Sequence, residues 1–314
     1  MCNQFDAEAI RRQVLRGLAG NRTPGFHFAG YFLQLAWPRI GDTSVDETMT
    51  PGPHCLDADG ELDLAALGVM IDTALATAPR LRIAPGARQA TVQLNVQFTG
   101  HPARGELLMT SELLGFSEGT AVRQSLATGT LFAQGKPVCY ANATFMLLPA
   151  PEGVKLAPLP WQRESDGTTD APLELKDLGP DERAVMRACD AALKRADNRR
   201  AFIEHFWSVL PEATAHGARC SVKNGPHIGN RVGHVQGGIL LGLAAATAKT
   251  AVPRHPMLSG IAAWFVSPGK GKTLRVRSKV VHAGRSFAVV RTEIKTTDGK
   301  RVLEVVSDHA ARSA

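Results

Sequence analysis

Paired cysteines and long apolar runs are scarce in this sequence, and each scarcity excludes a class of protein. The five cysteines are odd in number and scattered, and no two form a C-x-x-C pair, which argues against both a disulfide framework and a zinc site. The most apolar stretch, from Gly237 to Ala248, ends at Lys249, well short of the roughly 20 residues that span a bilayer. We therefore expect a soluble chain without a membrane span.

The first residues also lack the apolar core of a secretion signal, because acids and arginines interrupt MCNQFDAEAIRRQVL. Scattered cysteines are typical of a reducing compartment, so we expect a cytoplasmic protein. Aromatic residues are few among the basic strands near the C-terminus, where Phe287 stands alone. Single-stranded nucleic-acid sites interleave basic and aromatic side chains, so we expect no nucleic-acid partner.

The composition describes a large and moderately basic globular protein. Its 314 residues are 44% hydrophobic, which is enough for a sizeable core and fits two domains better than one. The formal net charge is +7. An excess of this size is consistent with an anionic ligand or with a solvated basic surface, so charge alone leaves both interpretations open.

The two halves of the sequence contain one repeated segment. GPHCLDADGELDLAALGVMIDTA, which begins at Gly52, aligns without a gap on GPHIGNRVGHVQGGILLGLAAAT, which begins at Gly225. The alignment pairs Gly60 with Gly233, and both copies continue into an apolar run that ends at a Pro-Arg pair. After each run come four segments with the pattern of strands, separated by glycine-containing turns. Each half therefore predicts strands, one central helix and an antiparallel run of strands.

A segment rich in proline and acids, residues 149–180, lies between the halves and cannot maintain a helix or a strand ladder. The following GPDERAVMRACDAALKRA has acids at its start and basic residues near its end, which predicts a helix. We predict an N-terminal unit at 1–150, a linker at 151–182 and a C-terminal unit at 183–314.

Asp63 and Asp72 lie on the predicted helix of the first copy, nine residues apart. At about 100° and 1.5 Å per residue they occupy opposite faces, about 13.5 Å apart along the axis, and cannot serve one site. The second copy has Gln236 at the position of Asp63, and Ala245 at that of Asp72. If the two helices pack as related partners, the start of one faces the middle of the other, which brings Gln236 beside Asp72. The alternative is that Asp72 hydrogen-bonds a neighbouring backbone group.

Gly237 and Gly238 stand at the start of the second predicted helix, where the first amide N–H groups have no partner inside the helix. Glycine here costs helix stability but lets a ligand approach the backbone. Such a terminus favours anions and developing oxyanions. The pattern indicates a site that polarises a carbonyl group, with tight packing of the helix end as the alternative.

The spacing of Asn230, Gly233, Gly237 and Gly238 resembles the entry to the central helix of PaaI-type hotdog-fold acyl-CoA thioesterases. Gln236 occupies the position where that family commonly has a histidine, and related thioesterases have glutamine there. Three further segments resemble the family in the same order: the acidic motif at 71–74, the strand at 91–98 and the turn at 281–285.

The resemblance implies an α+β protein with a double hotdog fold, in which two curved antiparallel sheets each wrap around a central helix. It also implies an active site shared between the units, with the amide side chains from one and the acid from the other. The second unit has Ala245 in place of the acid, and the first has Leu64 and Ala65 in place of the glycine pair, so one of two equivalent sites is expected to be degenerate. The implied catalytic residues are Asp72, Asn230, Gln236, Gly237 and Gly238, and the implied substrate-binding residues are Gly233, Thr91 and Arg285.

The implied reaction is hydrolysis of an acyl-CoA thioester, with no cofactor and no metal ion. Asp72 would act as general base or nucleophile, and an amide of Gly237 or Gly238 would polarise the carbonyl. Asn230 and Gln236 would position the water or the thioester. Two alternatives stay open, a hotdog hydratase or dehydratase of acyl thioesters and a non-catalytic acyl-CoA binding module. Exposed sheet edges also predict a homo-oligomer.

Three other patterns suggest chemistry but do not meet its requirements. Residues 115–119 satisfy G-x-S-x-G, yet the segment after them alternates like a strand where a serine hydrolase needs a helix, so we predict a hairpin turn. Residues 271–273 end like a phosphate-binding loop, but Val266 stands where that motif requires its first glycine. His227 and His234 have no evident third ligand, so we expect no metal site.

Overall fold

The computed structural model describes residues 4–84, 87–119, 122–149, 157–162 and 171–312, and it contains the same series of elements twice. Each series has two helices, two strands, a long central helix and four strands. The first comprises α1 (Gln4–Asn21), α2 (Phe28–Phe32), β1 (Ala36–Ile40), β2 (Ser44–Met49), α3 (Leu64–Arg80), β3 (Arg88–Phe98), β4 (Leu107–Phe116), β5 (Gln124–Ala133) and β6 (Lys136–Leu148). The second comprises α4 (Pro180–Arg195), α5 (Phe202–Phe206), β7 (Glu212–Thr214), β8 (Gly217–Lys223), α6 (Gly237–Ala251), β9 (Met257–Phe265), β10 (Thr273–Ala283), β11 (Phe287–Thr296) and β12 (Arg301–Ala310).

The loop before each central helix repeats in detail, as the aligned sequence segments predict. The side-chain oxygen of Asp57 accepts hydrogen bonds from two amides of its own turn, and that of Asn230 does the same in the second copy. Gly60 and Gly233 have φ angles of 72° and 76°, a conformation that favours glycine. One isolated antiparallel bridge closes each loop: Leu56 with Leu62, and Gly229 with Val235.

The strands of both series form one 12-stranded antiparallel sheet in the order β1-β2-β4-β5-β6-β3-β9-β12-β11-β10-β8-β7. The order is unchanged when it is read from the other end with each strand replaced by its equivalent in the other unit. The two halves meet where β3 pairs with β9, with Gln93 opposite Trp264 and Gln97 opposite Gly260. The two predicted sheets are therefore joined edge to edge.

Each half of the sheet wraps around its own central helix. The helix α3 contacts all five strands from β2 to β6, and α6 contacts all six from β7 to β12. Five strands about 4.8 Å apart extend across about 19 Å, whereas a helix with its side chains is only about 10–12 Å wide. Contact with every strand therefore requires each half-sheet to curve, as the double hotdog prediction states.

The two central helices run antiparallel and approach so closely that only glycine fits at the contact. A methyl group on Gly238 would lie 2.2 Å from the carbonyl oxygen of Gly68. One on Gly242 would lie 2.3 Å from the Cα of Ala65. Both distances are far inside van der Waals contact, so these glycines set the separation of α3 and α6.

The helices that open each unit also pack together. The helix α4 confirms the helix predicted after the proline-rich segment, whereas α1 was not predicted. Arg22, just after α1, donates two hydrogen bonds of 2.7 Å to the Glu182 carboxylate on α4. These groups are partly exposed, so the pair contributes little to stability and mainly fixes orientation.

The predicted strand segments after each central helix all form strands, β3 to β6 and β9 to β12. The predicted hairpin at G-x-S-x-G is confirmed, since β4 ends at Phe116 and β5 begins at Gln124, although residues 120–121 lie outside the described part. Much of the predicted linker also lies outside it. Across the described ranges, no helix is both long and apolar enough to cross a membrane.

We expect the Gly242→Ala substitution to destabilise the protein, although alanine is the better helix former by about 1 kcal/mol. The added methyl group meets the backbone of α3, which cannot move aside as a flexible side chain can. The expected loss in the free energy of unfolding is about 1–3 kcal/mol, measured by urea denaturation. Lys249→Ala, at an exposed position on the same helix, should change it by less than about 0.5 kcal/mol. An unchanged or more stable Gly242→Ala variant would rule out this helix contact.

Candidate active site between the central helices

The helix contact brings an acid of one unit against an amide of the other. Nε2 of Gln236 donates a 3.0 Å hydrogen bond to Oδ2 of Asp72. Asp72 lies in the middle of α3 and Gln236 immediately precedes α6, so the juxtaposition expected from the aligned copies is present. Asp72 is 8% exposed and Gln236 is 4% exposed, so water screens this contact weakly.

The cap of α6 fixes which way the Gln236 amide faces. Its Oε1 accepts a 2.9 Å hydrogen bond from the backbone N–H of Ile239. This bond satisfies one of the free amides in the first turn of the helix. Because the oxygen is committed to the backbone, the NH₂ group must point at the carboxylate.

Two more donors hold the Asp72 carboxylate. Oγ1 of Thr91, on β3 of the same unit, donates a 2.9 Å hydrogen bond to Oδ1. The backbone N–H of Gly238 also hydrogen-bonds the carboxylate. Thr91, predicted to bind substrate, therefore contacts the acid directly, and the Gly238 amide is occupied.

The two glycines at the head of α6 have different reasons to be glycine. Gly238 is buried against Gly68, which is the packing alternative, and its amide is engaged by Asp72. Its predicted part as an oxyanion donor stays a prediction, and Gly237 is the glycine of the pair with more open space beside it. Gly237 is partly exposed, and a methyl group there would press to 3.0 Å from Oδ2 of Asp72. Glycine at 237 keeps the space beside the carboxylate open.

Burial controls the acidity of Asp72. It raises the pKa of the carboxyl group to about 6, although the hydrogen bonds from Thr91, Gly238 and Gln236 each lower it. At pH 7 the group is therefore mostly ionised and is a stronger base than an exposed aspartate. These are the properties of a general base that works near neutral pH.

A second buried acid, Glu47 on β2, lies within electrostatic range of Asp72. Burial raises the pKa of Glu47 well above its usual range, and the charge of Asp72 raises it further. Burial and the neighbouring Asp72 charge therefore both favour the protonated form of Glu47.

The other predicted site residues lie in the loop before α6 or further away. The side-chain oxygen of Asn230 is used by its own turn, and Gly233 provides the positive φ angle of that turn. Their contacts are structural, and their catalytic and substrate-binding roles stay predictions. His227 packs on Phe206 and the equivalent His54 packs on Phe32, which agrees with a structural part for both histidines.

Arg285 lies in the predicted turn between β10 and β11, at the far end of α6. The carbonyl oxygen of the adjacent Gly284 is 3.0 Å from His255, which follows the C-terminus of that helix. Fourteen residues of helix separate that end from Gly237, or about 21 Å. Arg285 therefore does not flank the Asp72–Gln236 pair, and a substrate would have to extend along the whole helix to reach it.

The equivalent position in the other half lacks the same chemistry. Asp63 stands where Gln236 does, and its Oδ1 accepts from the amides of Ala65 and Ala66. Ala245 replaces Asp72 and is buried. A cavity of about 330 Å³ lies there, lined by Asp63, Lys249 and other residues. Among the described residues, this arrangement has no mid-helix acid and no open glycine amide. Both losses were expected for the degenerate second site.

Sequence reasoning missed the part of Gly68. A lone glycine inside an apolar helix indicates close backbone approach, so the signal was present. Leu241 aligns with Gly68 in the second copy, so comparison of the two copies did not indicate a helix contact at this position. Within the described residues, no three His, Cys, Asp or Glu side chains are grouped to hold a metal ion.

Residues 227–310 match the family model of the acyl-CoA thioesterase N-terminal domain. No curated protein matches the chain in sequence. Three solved structures are similar to most of the chain. A putative oleoyl thioesterase from Lactobacillus plantarum has a TM-score of 0.54 and 12% identity, with 88% of this chain and 99% of that one covered, and a conserved hot dog protein of unknown function from Alicyclobacillus acidocaldarius has a TM-score of 0.52 and 12% identity, with 89% and 96% covered. The 12:0-ACP thioesterase from Umbellularia californica has a TM-score of 0.53 and 9% identity, with 86% and 95% covered.

These likenesses, at 9–12% identity, confirm the hotdog fold over most of the chain. The match of residues 227–310 to an acyl-CoA thioesterase domain agrees with the predicted class of activity, thioester hydrolysis. The matched residues include Gln236, Gly237 and Gly238 but not Asp72, which the other unit supplies. The finer PaaI-type placement stays a prediction.

We expect the Asp72→Asn substitution to stabilise the fold, and more so at high pH. The pKa of about 6 in the folded protein exceeds the ordinary 3.8, so ionisation opposes folding. This cost is absent below pH 3.8, grows as the pH rises and is complete above pH 6, where it reaches about 3 kcal/mol. Asparagine removes it, since its oxygen can still accept from Gln236 while its NH₂ donates to the Thr91 hydroxyl.

Urea unfolding of both proteins at pH 5 and pH 8 measures this effect. The gain in the free energy of unfolding should be about 1–2 kcal/mol larger at pH 8. An equal gain at both pH values, or a smaller one at pH 8, would contradict a raised Asp72 pKa.

Proposed function

We infer that this chain, whose residues 227–310 belong to the acyl-CoA thioesterase family, hydrolyses acyl-CoA at the Asp72–Gln236 contact. The observation that carries the proposal is the 3.0 Å hydrogen bond between an acid of one unit and the helix-capping amide of the other. The raised pKa of Asp72 and the open amide end of α6 supply a base and a carbonyl-polarising group at one place.

In the proposed reaction, Asp72 removes a proton from a water molecule as the water oxygen attacks the thioester carbon. The N–H of Gly237, at the first position of α6, stabilises the negative charge that develops on the carbonyl oxygen. The carbon–sulfur bond then breaks, and the proton held by Asp72 passes to the departing thiolate. The products are a free acid and CoA, and Asp72 returns to its ionised form.

Thr91 and Gln236 position this base. They bind different oxygens of the carboxylate and thereby hold its plane fixed between β3 and the start of α6. Both oxygens are hydrogen-bonded, which favours a role as proton acceptor over attack by the carboxylate on the thioester carbon. Asn230 and Gly233 complete the proposed site by shaping the loop that delivers Gln236.

Two duplicated units, at 1–150 and 183–314 with a linker between them, act as one catalytic pair. Strands β1 and β7 end the sheet and expose most of their residues, so we place oligomer contacts between copies there. A cytoplasmic location fits the scattered, unpaired cysteines.

Asp72→Asn should reduce kcat for acyl-CoA hydrolysis by about 100-fold or more, because the amide cannot accept a proton, while CoA binding persists. Free-thiol release with a panel of acyl-CoA substrates measures hydrolysis, and enoyl-CoA hydration in parallel tests the hydratase alternative. The matched control is Asp63→Asn, the buried acid that precedes α3 and occupies the position equivalent to Gln236, which should retain activity. Undiminished hydrolysis by Asp72→Asn would refute the assignment, and hydration without thiol release would favour the hydratase.

The acidic limb of the pH–rate profile should follow Asp72. Hydrolysis should fall as the pH drops through about 6, because the base becomes protonated. Thr91→Val removes a donor that lowers this pKa, so the limb should move to higher pH by about one unit. Thr91→Ser should restore the original limb. A Thr91→Val enzyme that loses rate without any shift in the limb would show that Thr91 does not act on the base.

A further inference from the structure

Arg80 occupies an unusual place beside the proposed site. It lies in the last turn of α3, eight residues beyond Asp72, or about 12 Å along the helix. Its side chain is partly buried. Among the described residues, no carboxylate and no backbone carbonyl accepts a hydrogen bond from it, although partly buried arginines ordinarily have such partners.

A second arginine, from the other unit, lies within electrostatic range of Arg80. Arg231 belongs to the loop that delivers Gln236 to Asp72, and its Nη1 donates a 3.0 Å hydrogen bond to the carbonyl oxygen of Gly25. Burial lowers the pKa of Arg80 to about 9, and the positive charge of Arg231 lowers it further. Burial also lowers the pKa of Arg231 itself. The two guanidinium groups therefore repel each other.

Two more cations lie on the other side of the same loop. The N–H of Val235, next to Gln236, donates to the carbonyl oxygen of Gly269, and Lys270 follows. Arg88 lies three residues before Thr91 on β3. Burial lowers the pKa of His234, and the charges of Lys270 and Arg88 lower it further, which places both cations near this loop.

Like charges gathered in partly buried surroundings cost free energy unless an anion compensates them. Arginine binds phosphate with two parallel hydrogen bonds, and lysine adds a point charge. The phosphates of acyl-CoA are separated from its thioester by the pantetheine arm, so the groups that bind them must stand apart from the base, as these four cations do.

We propose that Arg80 and Arg231 clamp the phosphate groups of the CoA moiety, with Arg88 and Lys270 at the rim of the same subsite. The inference rests on the proposed function for the identity of the ligand. It moves phosphate recognition from the Arg285 turn to the loop that carries Gln236. Each unit supplies half of this subsite, as each supplies half of the catalytic contact.

The test compares acyl-CoA with the same acyl group on pantetheine, which has no phosphate. Arg80→Gln and Arg231→Gln should each raise KM for acyl-CoA about tenfold and leave KM and kcat for the pantetheine thioester unchanged. The matched control is Arg254→Gln, the arginine of the second Pro-Arg pair, which is exposed and should affect neither substrate. Thermal unfolding should show that the Arg80 variant is no less stable than the parent, since it removes a repulsion and no hydrogen bond, whereas Arg231→Gln also loses the bond to Gly25.

Direct binding keeps this inference separate from the proposed reaction. Calorimetric titration of the Asp72→Asn protein with CoA and with pantetheine should show tighter binding of CoA, and adding Arg80→Gln should reduce that preference about tenfold. This result supports the subsite even if no thioester is hydrolysed, in which case only the proposed function fails. Unchanged CoA binding in the variants, or an equal loss for CoA and pantetheine, would overturn the phosphate subsite.

Discussion

The close approach of two helix backbones is the constraint on which the rest of this structure depends. Gly68 and Gly238 allow α3 and α6 to meet without intervening side chains. At that separation a side chain at the start of one helix reaches a side chain in the middle of the other, so Gln236 meets Asp72. Neither unit contains the pair by itself, and the joined sheet keeps both helices in register.

The environment of Asp72 is a balance between burial and hydrogen bonding. Burial favours the protonated carboxyl, whereas donors from Thr91, Gly238 and Gln236 favour the ionised one. A carboxylate with only the donors would be a weak base, and one with only the burial would stay protonated at neutral pH. The site combines an apolar helix interior with polar groups at a helix terminus, and both come from the same antiparallel contact.

Much of this arrangement follows from local patterns. Alternation predicts the strands after each central helix. The ungapped repeat places Gln236 nine residues before the equivalent of Asp72, and residues at that spacing lie on opposite faces of a helix. The contributions of Arg80 and Arg231 could not be predicted, because each depends on a neighbour far away in sequence, and the glycine at 68 indicated a close approach without indicating its partner. The pairing of β3 with β9 could not be predicted either, since the pattern of a strand does not identify its neighbour in the sheet.

The palindromic strand order has a consequence for how such a protein can change. In a symmetric dimer of single units, any substitution appears at both equivalent positions, so neither can be altered without the other. Here both copies lie in one polypeptide, and each position varies alone. Alanine at 245 and the leucine and alanine at 64 and 65 are differences of this kind. One unit can thus lose the residues of its own site and still hold the other unit's site in place.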